Sequence, residues 1–368
     1  MIDPKTILNL ERTETVETTE NQKYKIMNKQ NIIFPAEWAE QSGVMLTWPH
    51  DNTDWAYILP EVEECFISIT KEIAEREKVL IVCQDKNQLL NTLRGCRLEN
   101  IILADLPSND TWARDHGAIT VIIDDKLTLY NFTFNGWGMK FASNFDNQIT
   151  HSLYLKGFFK EDVLYNDMQN LVLEGGSIES DGEGVLLTTR ECLLSKNRNH
   201  YLTVKQVEQR LVKHFGLQKI HWLSSGYLAG DDTDSHVDTL ARFCDPGTIA
   251  YVKCTDPADE HFEALKRMED ELYSLKTLSD QNYNLIALPM ADAYYNGELR
   301  LPATYANFLI INGAVLVPFY NSPKDIIAGK QLEKAFPGRE IIGIDCSSLI
   351  KQNGSLHCVT MQFPKGVL

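Results

Sequence analysis

Apolar and polar positions along the chain form a repeated pattern with five copies, one of which is partial. In this pattern two short apolar runs flank a polar turn, an amphipathic helix follows, and a further apolar run closes the unit. The clearest copy begins at Gly176, and its predicted hairpin strands, helix and closing strand are residues 177–180, 185–189, 204–215 and 219–223. Gly216 directly follows the apolar stripe and predicts the end of that helix.

The other four copies begin near residues 43, 117, 237 and 307, at intervals of about 60–75 residues. The copy near residue 43 is partial, and the helix of the next copy has no clear place within residues 133–170. In the last copy, Ser322 predicts an N-cap, Pro323 the first helical residue and Gly338 the position just past the end. Units of this size cannot bury their own faces, so we expect all five to pack around a common centre.

This arrangement predicts one α/β domain with rotational pseudo-symmetry over residues 33–368. A doubly wound sheet alternates single strands with helices and would not produce these hairpins. One domain also explains the repetition better than two separate domains do. Residues 1–32 include a polar stretch rich in Thr and Glu, and we predict that they form an N-terminal extension.

Composition and charge narrow the class of protein. Apolar residues make up 43% of the chain and charged residues 23%, which is typical of a folded globular protein. The formal charge of −16 argues against a nucleic-acid partner but allows a cationic small substrate. No apolar run approaches the roughly 20 residues of a membrane span, and the N-terminus lacks the pattern of a secretory signal. The eight cysteines indicate neither a zinc ribbon nor a disulfide framework, so we predict a cytoplasmic protein with no membrane partner.

Reactive side chains cluster where the predicted units begin, in residues 112–117, 174–176, 231–238 and 354–358. The first strands of units packed around one centre converge, so we expect these clusters to meet at one site. His236 and Asp238 lie two apart on a predicted strand and would therefore share a face. Each cluster has a plainer alternative, because Asp-rich loops usually cap backbone amides and a lone cysteine is usually a buried small hydrophobe.

Taken together, ten motifs resemble those of agmatine deiminases. In chain order they are residues 35–38 (PAEW), 48–50 (WPH), 112–117 (WARDHG), 134–138 (FNGWG), 174–176 (EGG), 189–194 (TRECLL), 197–199 (NRN), 230–238 (GDDTDSHVD), 301–308 (LPATYANF) and 357–358 (HC). The resemblance covers residues 34 to about 364. The wider family also contains the Porphyromonas-type peptidylarginine deiminases. The resemblance implies that this chain folds as a five-bladed α/β propeller, which agrees with the five repeated units.

The resemblance also implies roles for individual residues. Cys358 would be the nucleophile and His236 the general acid and base. Asp115 and Asp238 would hold the guanidinium group of the substrate, while Glu174 would support His236 and the charged end of the substrate. Together these five residues form the predicted catalytic set. No metal or organic cofactor is implied, and the family resemblance implies a homo-oligomer.

The chemistry gives independent reasons for these residue types. A guanidinium group is planar and always protonated, so its carbon is a poor electrophile. Two carboxylates can accept its N–H groups in paired hydrogen bonds and fix its plane, and a thiolate both attacks readily and leaves later. The bound cation would lower the pKa of the thiol. Trp112 would stack on or wall the substrate, with a packed core tryptophan as the alternative.

The sequence-based hypothesis is therefore a cofactor-free hydrolase that converts agmatine, a small cationic guanidine, to N-carbamoylputrescine and ammonia. Alternatives keep the chemistry and change the substrate to peptidyl arginine, free arginine or another guanidine. A metal-binding protein that uses His236, Asp238 and residues 231–234 is a rival from another class, and a catalytically inactive ligand-binding propeller is a third. Four departures from the family pattern lie beside predicted catalytic groups and put the substrate in question: His116, Ala118, Ser235 and Ser355.

Overall fold

The computed structural model describes residues 30–368. Most of the predicted extension, residues 1–32, therefore lies outside the described residues. Its last part does not, and Ile32 belongs to a short strand that pairs antiparallel with residues 122–123. Within the described range, no helix is both long enough and apolar enough to cross a membrane.

The fold is mixed α/β. The strands are β1 (Ile32–Ile33), β2 (Gln41–Thr47), β3 (Lys78–Cys83), β4 (Ile101–Asp105), β5 (Ile119–Ile123), β6 (Lys126–Thr133), β7 (Leu164–Val172), β8 (Ile178–Ser180), β9 (Val185–Thr189), β10 (Lys219–Leu223), β11 (Ala241–Asp245), β12 (Thr248–Lys253), β13 (Asn284–Pro289), β14 (Tyr294–Asn296), β15 (Leu299–Leu301), β16 (Leu309–Ile311), β17 (Ala314–Phe319), β18 (Glu340–Asp345) and β19 (Thr360–Pro364).

The α-helices are α1 (Leu59–Ala74), α2 (Lys86–Thr92), α3 (Ala113–His116), α4 (Gly136–Met139), α5 (Asp146–Leu155), α6 (Arg190–Leu193), α7 (Lys196–Asn199), α8 (Val204–Phe215), α9 (Phe262–Ser274) and α10 (Pro323–Ala335). Short 3₁₀ turns are formed by Ala56–Ile58, Leu98–Asn100, Gly175–Ser177, Val237–Thr239 and Leu349–Gln352. Two of these turns, Gly175–Ser177 and Val237–Thr239, carry or flank predicted site residues.

Five sheets of three or four strands share one pattern across residues 30–368. Each contains an antiparallel pair followed by a parallel third strand, in the orders β1-β5-β6-β7, β10-β9-β8, β11-β12-β13, β16-β17-β18 and β19-β2-β3-β4. A sixth sheet is the two-stranded ribbon β14-β15. The parallel pairing follows from the helix between the strands, because a crossover returns the chain in the same direction.

The partial unit near residue 43 is completed by the other end of the chain. Strand β19 pairs antiparallel with β2, with Thr360 opposite Leu46 and Met361 opposite Met45. The sequence pattern did not predict this strand, because its partner is more than 300 residues away. The pairing places the loop before β19, which contains Cys358, beside the end of β2.

Most predicted elements agree with the structure to within two or three residues. Helix α8 has a reciprocal capping box between Thr203 and Gln206, and it ends at Gly216 with φ +68°. Residues 133–170, which showed no clear pattern, form the short helices α4 and α5 and the first seven residues of β7. The prediction that His236 and Asp238 lie on a strand was wrong: they belong to the 3₁₀ turn that precedes β11.

Helix α10 is tied to the loop that carries Cys358. Its capping residue Asp325 accepts a hydrogen bond from the Tyr305 hydroxyl at 2.7 Å and another from the backbone of Tyr320 at 3.1 Å. The Tyr320 hydroxyl in turn lies 2.7 Å from the Ser355 hydroxyl. All four side chains are buried. The hydrogen bonds of this helix N-terminus therefore continue through Tyr320 to the segment just before Cys358, while Tyr305 supports Asp325 from the side.

Candidate active site

A pocket rich in carboxylates and aromatic rings ends on the thiol of Cys358. Its lining comes from loops of several units, which explains why residues far apart in sequence share one space. The charged and aromatic members are Asp54, Asp110, Trp112, Asp115, Trp137, Phe141, Asp231 and Asp232, and the polar loop 352–354 closes one side. Such a lining suits a cation with apolar methylene groups.

Cys358 is 8% exposed and lies on the pocket wall. Its thiol donates a hydrogen bond to Asn307 Oδ1 at 3.3 Å, and the same oxygen accepts from the backbone N–H of His357 at 2.9 Å. Burial raises the pKa of the thiol well above its usual value, and the carboxylates of Asp238 and Asp115 raise it further. The empty site therefore holds a protonated thiol, which a bound cation would make more acidic.

Asp115 is held by two donors from different elements. Its Oδ2 accepts a hydrogen bond from Trp137 Nε1 at 2.9 Å, and its Oδ1 accepts from the backbone N–H of Gly176 at 3.0 Å. Burial raises the pKa of Asp115 to about 7, and Glu174 contributes to the increase. The carboxyl is thus fixed in orientation and titrates near neutrality.

Gly176 is the point at which three predicted site residues meet. A Cβ atom at this position would lie 2.6 Å from His236 Nδ1, 2.9 Å from Asp115 Oδ1 and 3.0 Å from Asp238 Oδ2. These side chains can converge only because the backbone here carries no side chain. His236 and Asp238 flank Val237 in a tight 3₁₀ turn, so the turn brings both to the site in place of the expected strand.

Two buried polar atoms at this convergence have no hydrogen-bond partner among residues 30–368. They are His236 Nε2 and Asp238 Oδ1, and both residues are 1% exposed. Burial lowers the pKa of His236 well below its usual value, helped by the cations Arg198 and Lys140. Burial and Asp115 together raise the pKa of Asp238 well above its usual value. The convergence at Gly176 thus holds a neutral imidazole and an unpartnered carboxyl oxygen beside Asp115, which lines the pocket, whereas His236 and Asp238 are not part of that lining.

Glu174 lies behind these groups and does not line the pocket. Both of its carboxylate oxygens lie within hydrogen-bond distance of Arg198 Nε, at 2.9 and 3.0 Å. Another nitrogen of the same guanidinium group, Nη1, pairs with Asp234, which also pairs with Lys140 at 2.6 Å. Glu174 approaches His236 closely, with ligand atoms within 4.8 Å of each other. It is therefore placed to support His236, whereas the distal end of a substrate in the pocket would not meet it.

Trp112 lines the pocket and also packs against its neighbours. Its ring contacts Trp55 at a centroid distance of 5.6 Å and Trp137 at 6.4 Å. Its indole N–H donates to Asp110 at 3.1 Å. Trp112 is thus packed among other rings, as the alternative expected, and it also lines the pocket, while its contact with a substrate stays a prediction.

The Asp-rich loop partly caps itself. Asp231 accepts hydrogen bonds from the backbone N–H groups of Thr233 at 3.1 Å and Ser235 at 2.6 Å, as the plainer interpretation expected. Asp231 and Asp232 both line the pocket, but the loop backbone engages both oxygens of Asp231, whereas burial raises the pKa of Asp232 to about 6. This loop therefore offers one carboxyl group to a ligand.

The departures from the family pattern make ordinary contacts. Ser355 bonds Tyr320 as described above, and Ser235 Oγ lies 3.4 Å from Glu191. His116 is buried 3.3 Å from Thr47 Oγ1, and burial lowers its pKa to about 3. Ala118 is 1% exposed. None of the four lines the pocket within the described chain.

Sequence reasoning did not assign a role to several residues that the structure places at the site: Trp137, Asn307, His357, Arg198 and Asp232. Each lies inside a motif that carried the family resemblance. The available signal for Trp137 was its position between two glycines, a context that permits its φ of +54°. The other four residues contact partners that are distant in sequence, so no local sequence pattern indicates their roles.

Two groups of side chains have ligand atoms close enough for a metal ion: Glu174 with Cys192 and His236, and Glu37 with Glu179 and His357. In the first group, Arg198 donates hydrogen bonds to the carboxylate of Glu174. In the second, Arg242 pairs with both Glu37 and Glu179. A guanidinium group beside each set opposes a second cation, so neither group fits a metal ion well.

Comparison with known proteins places the chain in a family. A family model described as Porphyromonas-type peptidyl-arginine deiminase matches residues 33–364. The agmatine deiminase of Pseudomonas syringae pv. tomato is 32% identical over 356 residues, which cover 90% of this chain and 95% of that protein.

Solved structures of related proteins support the same family assignment. A Porphyromonas gingivalis chain, provisionally named arginine deiminase, is 51% identical with a TM-score of 0.89, over 92% of this chain and 100% of that one. The agmatine deiminase of C. jejuni, solved with substrate bound, is 40% identical with a TM-score of 0.85, over 92% and 98%. The chain therefore belongs to the family of Porphyromonas-type peptidyl-arginine deiminases.

Proposed function

We propose that this protein hydrolyses agmatine to N-carbamoylputrescine and ammonia through a covalent intermediate on Cys358. The observation that carries the proposal is the pocket: its floor is a thiol, its walls are aromatic and its other charged groups are carboxylates. Relatives that bear the name agmatine deiminase support the same activity. The geometry, the residue types and the family thus favour one reaction.

The guanidinium end of the substrate is assigned to Asp115 and Asp238. Their carboxyl groups meet beside Gly176, and Asp238 Oδ1 lacks a partner within residues 30–368. Two carboxylates can each accept N–H groups from the planar cation and fix the plane that the thiol attacks. Because the pKa of Asp115 lies at about 7 in the empty site, the arriving cation favours its ionised form.

Covalent chemistry follows from the neutral state of His236. The imidazole accepts the proton of the Cys358 thiol as the thiolate adds to the guanidinium carbon. The resulting imidazolium, close to Asp115 and Glu174, returns a proton to the departing nitrogen, and ammonia leaves as the C–N bond breaks. His236 then accepts a proton from water, whose oxygen attacks the cationic carbon of the amidino-thioether. As the C–S bond breaks, the second proton of that water passes to solvent, and the neutral ureido product is released. The proton on His236 returns to the thiolate.

The distal ammonium group of agmatine is assigned to Asp232. This carboxyl lines the pocket with Trp112, Phe141 and Asn353, and burial keeps its pKa raised to about 6. Asp231 is engaged by its own loop, and Asp110 accepts from two indole groups. Asp54 also lines the pocket but is exposed to solvent, so Asp232 is the half-buried pocket carboxyl best placed to receive a second cation.

The same proposal includes the larger architecture. The five sheets with one shared pattern are the blades of a five-bladed propeller, and residues 33–368 form a single catalytic domain after the extension 1–32. The pocket is lined by loops that connect these sheets, including residues 110–115 before β5, 231–239 before β11 and 352–358 before β19, which supports that arrangement. The cytoplasmic location and the homo-oligomer stay predictions of the sequence and of the family resemblance.

The test is release of ammonia and ureido product from agmatine, free arginine and a blocked arginine peptide, with Cys358→Ala as control. We expect turnover of agmatine alone, lost in the variant by at least about 1,000-fold because the covalent route is removed. Turnover of the peptide or free arginine in preference to agmatine would contradict the substrate and keep the chemistry. Turnover that survived in Cys358→Ala would contradict the covalent mechanism.

A further inference from the structure

His357 lies between two carboxyl groups deep in the fold. Its Nδ1 is 2.7 Å from Asp238 Oδ2, and its Nε2 is 2.7 Å from Glu37 Oε2. All three side chains are buried, with exposed fractions of 1–6%. His357 does not line the pocket that contains Cys358, and carboxyl groups engage both of its ring nitrogens, so neither nitrogen is available to a substrate.

Charged groups surround this histidine from every element packed against it. Arg242 of β11 donates to Glu37 at 2.9 Å and also pairs with Glu179 of β8. Arg114 of α3 lies 3.6 Å from Glu37. Asn307, just before β16, accepts from the backbone of His357. The arginines outweigh burial and, with His357, hold the pKa of Glu37 well below its usual value, so Glu37 is a carboxylate.

The two short contacts require more protons than a neutral imidazole carries. A neutral ring has one N–H and one lone pair, and the lone pair would repel a carboxylate 2.7 Å away. With Nε2–H donating to Glu37, a second proton must therefore lie between Nδ1 and Asp238 Oδ2. In the empty site that proton belongs to Asp238, because burial and the neighbour Asp115 oppose a second carboxylate there. Burial, Arg114 and Arg242 likewise oppose a charged imidazole.

We propose that His357 stores the proton of Asp238 while the cationic substrate is bound, so that Asp238 becomes a carboxylate without losing a proton to solvent. The inference rests on the proposed function, in which Asp238 holds the guanidinium group. On binding, the Asp238 Oδ2–H bond breaks and a His357 Nδ1–H bond forms. Asp238 becomes an anion paired with the substrate, and the imidazolium is held between Asp238 and Glu37. When product leaves, the proton returns.

The arrangement solves an electrostatic problem of this site. Asp115 and Asp238 lie together in a buried space, so both cannot be ionised when the site is empty. Release of a proton to solvent on each binding event would make affinity depend on pH. A neighbouring base that holds the proton removes this dependence. His357 is thus a positioning residue, which acts on the substrate only through Asp238.

The test measures proton release when agmatine binds. Calorimetric titrations in two buffers of different ionisation enthalpy give the number of protons released, and Cys358→Ala prevents turnover and removes thiol ionisation. At about pH 8.5, where Asp115 with its pKa of about 7 is already ionised, we expect release near zero for Cys358→Ala and about one proton for Cys358→Ala with His357→Asn. Asparagine keeps a hydrogen-bond donor near Nδ1 but cannot accept the proton. His357→Gln, equally non-basic, is the second variant.

A kinetic readout separates this role from a structural one. In the active protein, the KM of His357→Asn should fall between about pH 6 and about pH 9 by at least about tenfold more than the KM of the unsubstituted protein, as solvent takes the proton from Asp238. The unsubstituted protein should keep only the change that ionisation of Asp115, with its pKa of about 7, produces. His221→Asn is the matched control, because His221 is also buried but bonds Tyr283 in another part of the fold. It should lower stability without this pH dependence.

Release of about one proton by Cys358→Ala with His357 intact would contradict the inference whatever the variants do. A KM of His357→Asn that is raised equally at all pH values would also contradict it, because that pattern indicates misplacement alone. Failure of the unsubstituted protein to turn over agmatine would instead contradict the proposed function, and this inference with it.

Discussion

At the scale of single residues, the site depends on one position without a side chain. Gly176 lets His236, Asp115 and Asp238 approach each other over its backbone, and its own N–H donates to Asp115. The catalytic assignment of these residues stays a prediction. Their convergence gives it a geometric basis, because a nucleophile, a neutral base and two carboxyl groups must share a few ångströms to act on one guanidinium group.

Gly176→Ala tests this convergence. The methyl group would collide with all three side chains and displace them by several tenths of an ångström or more, so we expect kcat/KM for agmatine to fall at least about 100-fold. Steady-state kinetics and a thermal melt measure the effect. Gly95→Ala is the control, because a Cβ at Gly95 would have no neighbour within 4 Å. Activity within a factor of two or three of the parent protein would contradict the described geometry.

At the scale of elements, turns and loops position the chemistry and strands support it. The predicted site residues lie in the short helix α3, in two 3₁₀ turns and in the loop before β19. Buried carboxyl groups also connect elements away from the site. Glu77, after α1, accepts a hydrogen bond from the backbone of Asn312 in the β16–β17 turn at 3.0 Å. Its other oxygen is buried without a partner in the described part of the chain.

Glu77→Gln should change the pH dependence of stability. Burial raises the pKa of Glu77 from its usual 4.5 to about 7. Between these values the unfolded state ionises while the folded state keeps its proton, so the stability contribution present below about pH 4.5 is lost as pH rises to about 7. Glutamine does not titrate. The free energy of unfolding of Glu77→Gln should therefore rise relative to that of the parent protein over this pH range, by up to about 3 kcal/mol. Above about pH 7 the difference should stay constant.

Urea unfolding at several pH values measures this difference. The exposed Glu161 provides the control, since Glu161→Gln should leave the pH profile of the parent protein unchanged. Parallel stability curves for the parent protein and Glu77→Gln would show that the pKa of Glu77 is the same in the folded and unfolded states, contrary to the expectation.

At the scale of the whole molecule, charge and topology act together. The chain carries a formal charge of −16, and carboxyl groups also line the pocket. A field of this sign raises the local concentration of a cationic substrate at the pocket. The pairing of β19 with β2 joins the two ends of the described chain and fixes the loop that carries Cys358.

Salt should therefore weaken the capture of agmatine more than the chemical step. We expect kcat/KM to fall at least about threefold between about 0.05 M and about 0.5 M NaCl, with little change in kcat, because mobile ions screen the field. Butylguanidine, which lacks the distal ammonium group, is the matched substrate and should respond less. Equal salt dependence for both substrates would contradict the role of the pocket carboxylates, including Asp232, in binding the second charge.

The sequence by itself determined what is encoded locally. Alternation and helical spacing predicted the hairpins and helices of the repeated units, and the motifs placed Cys358, His236 and the carboxyl residues in one family. Local patterns also suggested capping, as at Ser322 and Asp231, because a cap needs only residues two to four positions away. These features depend on residues that are close together in sequence, so the sequence alone predicts them.

Only the tertiary structure decided which of these groups meet and in what state. The contact of His357 with Glu37 spans 320 residues and that with Asp238 spans 119. The turn that holds His236 and Asp238 was mistaken for a strand, since both conformations place residues two apart near each other. Protonation, partnering and access to the pocket depend on burial and on charges from several elements. Desolvation is a property of the folded whole, so no local pattern along the chain could reveal it.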